Sequence, residues 1–244
     1  MKRIFLVSLV LQITISQNLN RHLSKEKDNT HEIINLLDDY LNQKTHDNKK
    51  LQKVMESGLL NGHFSAKQIQ GIFKYLSERH KEFVKTEKFG ETFQGRDLNS
   101  YHLSDNLKDE SKKKSIILFT GAHHARELIS PGMTVKIFVE TLHSLIHKDQ
   151  RQQFWKFNDV LIVPIVNLDS YHYISDAWGT PNWDTNKLKR KNMNRTSKQL
   201  NCSEVSSGID LNRNYGYHYR ATREDNYPCS ETYNGDVSFS EKET

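Results

Sequence analysis

The chain has 244 residues, enough for one large domain or a smaller one with an appendage, and 35% of them are hydrophobic. Its 35 Lys and Arg against 30 Asp and Glu give a formal charge of +5. The basic residues are interleaved with acidic ones, the runs Lys49-Lys50 and Lys112-Lys113-Lys114 read as solvated loops, and no reader motif accompanies the charge, which argues against nucleic acid as a partner.

At the N-terminus, Lys2-Arg3 precede an apolar run from Ile4 to Ile15 that is broken only by Ser8, Gln12 and Thr14. A basic start and a short apolar stretch are the layout of a secretory signal peptide, here residues 1–16. A buried N-terminal strand or helix is the alternative. The run falls short of the roughly 20 residues that span a bilayer, and no other segment is long and apolar enough, so no stable membrane span is expected. The expected location is secreted: extracellular space or the endomembrane lumen.

Residues 17–60 read as a leader or short pro-like segment, in which Ile33, Ile34, Leu37, Tyr40 and Leu41 recur at helical spacing. Residues 61–244 carry the main domain. There Ser65 is placed to cap a helix bearing Ile69, Ile72, Phe73 and Leu76. Phe89 to Phe93 and Tyr101 to Leu103 read as strands around a Gln94-Gly95-Arg96-Asp97 turn. Ser115 to Thr120 is a continuous apolar strand of the kind covered on both faces. An amphipathic helix follows, with Met133, Ile137, Phe138, Leu142 and Leu145 inward, and then a buried strand from Val160 to Val166. This succession predicts an α/β fold with a mixed, largely parallel central sheet flanked by helices. Such sheets bind ligands outside the carboxyl ends of their strands, which is where Gly121 to Glu127 falls.

His124 and Glu127 are three residues apart where strand gives way to helix, so both can face one point, and imidazole and carboxylate are good zinc ligands. The pair alone also fits a surface histidine beside a helix-start glutamate. A second segment, Gly208 to Asn214, adds Asp210, Asn212 and Arg213. An arginine fork with an amide beside it suits a planar carboxylate such as a peptide C-terminus. Cys202 and Cys229 form an even pair, and in a secreted chain a disulfide is the default. The tripeptides starting at Asn194 and Asn201 are potential glycosylation sites.

Six segments occur in an order that resembles the secreted zinc carboxypeptidases of the carboxypeptidase A/B type, from about Ser65 to Thr244. They are Glu91 to Arg96, Gly121 to Pro131, Val163 to Asp169, Arg190-Lys191-Asn192, Gly208 to Asn214, and Pro228 to Tyr233. The resemblance implies hydrolysis of the C-terminal peptide bond of peptides and proteins, with one Zn2+ per catalytic domain. It matches His124 and Glu127 to the first two zinc ligands, and Asp210 to the carboxylate that orients the histidine. Asn212 and Arg213 match the pair that holds the substrate carboxylate, and Arg126 and Arg190 match basic residues along the groove. Cys202 and Cys229 match the family disulfide.

Met193 stands where the family has an arginine that stabilises the oxyanion, leaving Arg195 as a possible donor. Ser240-Glu241-Lys242-Glu243 is a capping-box pattern that predicts a helix. The third ligand and the general base of the family have no counterpart among these residues, so the chain reads as an incomplete catalytic domain. A non-catalytic binder of peptide C-termini is the second reading. An amidohydrolase of small acylated amino acids is the third, opposed by the signal peptide, the cysteine pair and Asn212-Arg213.

Overall fold

The computed structural model of the chain describes residues 28–60, 62–108, 114–219 and 226–244. The expected signal peptide lies outside them, as do Lys112 and Lys113. No helix among the described residues is long and apolar enough to cross a membrane.

Helix α1 (Thr30–Leu41) turns Ile33, Leu37, Tyr40 and Leu41 inward, as their spacing predicts. Helix α2 (Asn48–Met55) takes in Lys49-Lys50, which is a correction to the loop expected there. Only Leu51 and Val54 of this helix are buried, too few apolar positions to register as a period. Its start is fixed by Asp47, whose carboxylate accepts from the backbone N–H groups of Lys49 and Lys50 at 2.9 and 3.2 Å. Helix α3 (Ala66–Arg79) opens with a complete capping box between Ser65 and Gln68.

These helices pack on one another and on α4 (Ile129–His147). Its inner face is Val135, Phe138, Val139, Leu142 and Leu145, and Phe138 stacks on Phe73 with ring centroids 4.3 Å apart. Met133 is 46% exposed rather than inward, because the helical period sets it across the axis from Leu142.

A four-stranded sheet lies against these helices, built from β1 (Val84–Glu91), β2 (Asp97–Leu103), β3 (Ser115–Thr120) and β4 (Asn158–Val163) in the order β1-β2-β4-β3. The α/β class and the mixed sheet are as expected. The largely parallel character is corrected: β1–β2 and β2–β4 are antiparallel, and only β3–β4 is parallel. The tight turn between β1 and β2, closed by Thr92 N–H to Arg96 O at 2.8 Å, permits only antiparallel pairing. A second correction concerns β3. Among the described residues it is an edge strand, with Ile116 60% and Leu118 56% exposed. An unbroken apolar run announces a strand without revealing which of its faces has a neighbour.

Beyond β3 and β4 the backbones stay close. Val166 N–H donates to Gly121 O and Asn167 N–H to Ala122 O, both at 2.9 Å. A Cβ on Gly121 would sit 2.3 Å from Pro164 O, so this approach requires glycine. After β4 come α6 (Leu168–Ser175), α7 (Trp183–Asn186), one 3-10 turn (Ser197–Gln199) and α8 (Leu211–Asn214), with α5 (Gln152–Trp155) just before β4. The long connections are held by polar contacts and by the Cys202–Cys229 disulfide, with Cα atoms 5.3 Å apart. Ser240 to Glu243 form a turn instead of the predicted helix. Ser240 Oγ donates to Glu241 Oε1 and accepts from Asn214 Nδ2, and the Glu243 carboxylate is buried beside Asn192 Nδ2 at 3.5 Å, so neither half of the capping box forms.

Candidate functional site

Residues Gly121 to Leu128 link the carboxyl end of β3 to α4, and this short loop carries His124 and Glu127. Ala122, buried, has a φ of +47°, a strained conformation for a residue with a side chain. It is pinned by Ser130 Oγ, which accepts its N–H at 2.9 Å, and by Asn167. The strain reverses the chain so that His124 turns inward. Glu127 lies just before α4, which begins at Ile129.

His124 is buried, with Nδ1 at 2.8 Å from Glu127 Oε1 and Nε2 at 3.0 Å from Asp210 Oδ1. Asp210, also buried, divides its acceptors. Oδ1 takes Asn212 N–H as well as His124, and Oδ2 takes Arg190 Nε and Nη2 at 3.1 and 2.8 Å. Burial alone would raise the Asp210 pKa, but the hydrogen bonds from His124 and Arg190 outweigh it and hold the carboxyl below its usual range. An ionised Asp210 sets the tautomer: Nε2 carries the proton and Nδ1 presents its lone pair to Glu127. Two lone pairs 2.8 Å apart need a proton or a cation between them. The pair therefore fits two ligands of a metal such as zinc, although no third His, Cys, Asp or Glu completes such a group among the described residues.

Arg190 is half-buried on Asp210, with Nη1 4.0 Å from Glu127 Oε1. Arg126 makes a two-pronged pair with Glu231, both bonds 2.9 Å. His123 points elsewhere, its Nε2 2.9 Å from the Tyr215 hydroxyl, and burial lowers its pKa. Asn167 ties the layers together by donating to His123 O at 3.2 Å and Arg190 O at 3.1 Å. Asn167, Ser130, Tyr215 and Glu231 thus support the site without having been singled out. Ser130, Asn167 and Glu231 fall within segments that carry the family resemblance, and Tyr215 lies one position beyond another.

Asn212 and Arg213 lie in α8, whose N-cap is Asp210, so one residue both contacts His124 and starts the helix that bears Asn212 and Arg213. Both are exposed, and among the described residues Arg213 donates to Asn212 O at 3.1 Å. Gly208 allows the approach of this segment to Asn192, since a Cβ there would lie 2.0 Å from Asn192 O. Met193 lines a cleft with Arg96, Asp169 and His172. Arg195 gives its guanidinium to Gln199, Leu200 and Cys202 carbonyls, so it holds its own loop.

Comparison with known proteins gives this geometry a context. The inactive metallocarboxypeptidase ECM14 of Saccharomyces cerevisiae is 29% identical over 171 residues, covering 69% of this chain and 36% of that protein. Carboxypeptidase B of Bos taurus is 28% identical over 176 residues, covering 72% and 38%. The crystal structure of thrombin activatable fibrinolysis inhibitor superposes with a TM-score of 0.62 at 25% identity, covering 86% of this chain and 47% of that one. The chain thus spans less than half the length of these relatives. The sequence model of the family described as zinc carboxypeptidase matches residues 69–244, and the chain belongs to that family.

Proposed function

We propose that this chain is part of a zinc-dependent metallocarboxypeptidase that hydrolyses the C-terminal bond of peptides and proteins. The observation that carries the reading is the convergence of His124 Nδ1 and Glu127 Oε1 within 2.8 Å, with Nε2 of the same ring anchored on buried Asp210. His124 and Glu127 would hold zinc, which polarises a scissile carbonyl and acidifies bound water. Asp210 keeps the imidazole in its ligating tautomer. Asn212 and Arg213 take the terminal carboxylate and fix the leaving residue, while Arg126 and Arg190 border the path of the preceding residues. The Cys202–Cys229 disulfide supports an oxidising, secretory location.

A second reading, a binder of peptide C-termini without turnover, has two specific supports. Met193 offers no oxyanion donor, and the Arg195 guanidinium is engaged by three carbonyls. The named relatives include both a carboxypeptidase B and an inactive homologue.

The test is binding of a peptide with a free C-terminus against its amidated form, with and without Zn2+. A charge-assisted bond is worth about 1.5–3 kcal/mol, so Arg213→Ala should weaken the free-acid peptide by about 10- to 100-fold and leave the amide unchanged. Release of the terminal amino acid identifies the enzyme, and binding without release identifies the second reading. Equal affinity for acid and amide would contradict both.

A further inference from the structure

Helices α1 and α2 precede the residues that match the family, and a cluster of histidines fastens them to α4. His143 and His147, one turn apart on α4, reach the end of α1: His147 Nε2 lies 2.7 Å from Leu41 O, and His143 Nε2 lies 2.9 Å from Gln43 O. A helix end leaves such carbonyls without intrahelical partners. The His143 ring is 4.5 Å from His147, 5.8 Å from His46 of the α1–α2 connection and 5.0 Å from Tyr40, between centroids.

Because a carbonyl only accepts, each Nε2 must carry its proton, and in the neutral ring Nδ1 is then an acceptor. Nδ1 of His143 is buried with no partner among the described residues, and the Tyr40 hydroxyl is in the same condition. A second proton on His143 would place a charged donor where nothing receives it. The surrounding charges give little relief. On α4, Glu140 accepts from Lys136 at 2.7 Å and stands 3.3 Å from His46. After α4, Asp149 is gripped by Arg151 and by Ser144. In the connection, Asp47 is occupied as the cap of α2. Burial lowers the His143 pKa; His147, His46 and Arg151 lower it further, and the bond to Gln43 O opposes them.

We propose that His143, packed between His147 and His46, is a pH-sensitive fastening that holds the α1–α2 corner, residues 42–50, against α4 only while its imidazole is neutral. Because the folded state disfavours protonation, the fastening is complete above the ordinary imidazole value of 6.5 and weakens as pH falls below it. The opening is confined to the corner, since Ile33, Leu37, Tyr40, Leu41, Leu51 and Val54 stay anchored in the apolar core.

Amide hydrogen exchange on the full chain tests this at about pH 7.5 and about pH 5.5, after correction for the intrinsic pH dependence. A group of ordinary value 6.5 that stays neutral in the closed corner contributes at most about tenfold to opening at about pH 5.5, so protection at the corner should fall by up to about tenfold more than protection in α3. The double variant His143→Gln, His147→Gln, whose amides still donate but do not titrate, should lose that excess. A corner that tracks α3 in the wild type, or an excess that survives in the variant, would overturn the proposal. If the variant fails to fold, NMR titration of wild-type His143 decides. A midpoint below those of the exposed histidines supports the fastening, and one at or above them refutes it. Neither readout depends on zinc or peptide.

Discussion

The two halves of the molecule are held together by different forces. From Ile33 to Ile174 a single apolar cluster joins α1 through α6 and the sheet. From Lys189 onward the buried residues are largely polar: Lys189, Lys191, Asn192, Gln199, Asp210, Asn214, Asn234, Glu241 and Glu243. Lys189 donates to the Glu204 and Ser207 carbonyls and Lys191 to those of Pro228 and Ser230, and burial pushes both amines down to about 8. Apolar packing is non-directional and tolerant of exchange, whereas a buried polar network specifies geometry and fails where one partner is lost. The site sits on the seam, with His124 supplied by the first half and Asp210 by the second.

The comparison is broken most severely from the apolar side. Phe138→Ala removes a ring stacked on Phe73, and should cost about 3–5 kcal/mol in urea unfolding. On the polar side the corresponding staple is the disulfide, which spans a sequence separation of 27 residues. Replacing both cysteines with serine should cost about 3 kcal/mol, with loss of structure concentrated after Lys189.

Glu243 sharpens the contrast through pH. Burial, with help from the Glu241 and Asp169 charges, pushes its pKa up to about 7. The folded state therefore favours the protonated acid, and the stability it brings at low pH is lost as pH rises through 7. Glu243→Gln should match the wild type near about pH 4.5 and exceed it by up to about 3 kcal/mol near about pH 8, read by thermal unfolding at each pH. The smallest effect is expected at the surface. Lys50→Ala removes a 2.6 Å pair with Asp39 and should shift stability by less than about 1 kcal/mol.

The same division explains what was legible. Periodicity found α1, α3 and α4 because their buried positions are apolar and regularly spaced, and it failed at α2, where two buried residues carry the helix. It could not tell that β3 is an edge strand among the described residues with Ile116 and Leu118 exposed, because exposure depends on what packs against a strand and not on the strand itself. In the second half no periodicity exists to read, and the site residues stood out by motif alone. Their supports, Asn167, Tyr215 and Glu231, act through tertiary contacts across 44, 92 and 105 positions, which local sequence does not encode. The capping-box pattern at Ser240 misled for the same reason, since Asn214 and Asn192 engage Ser240 and Glu243 across the fold.

The most direct measurement is calorimetric titration of Zn2+ into the wild-type chain and into His124→Ala and Asp210→Asn. The account predicts one ion per wild-type chain, none in His124→Ala, and affinity reduced by about 10- to 100-fold in Asp210→Asn, which loses the group that fixes the ligating tautomer. Equal binding by the wild type and His124→Ala, or no binding by the wild type, would contradict it.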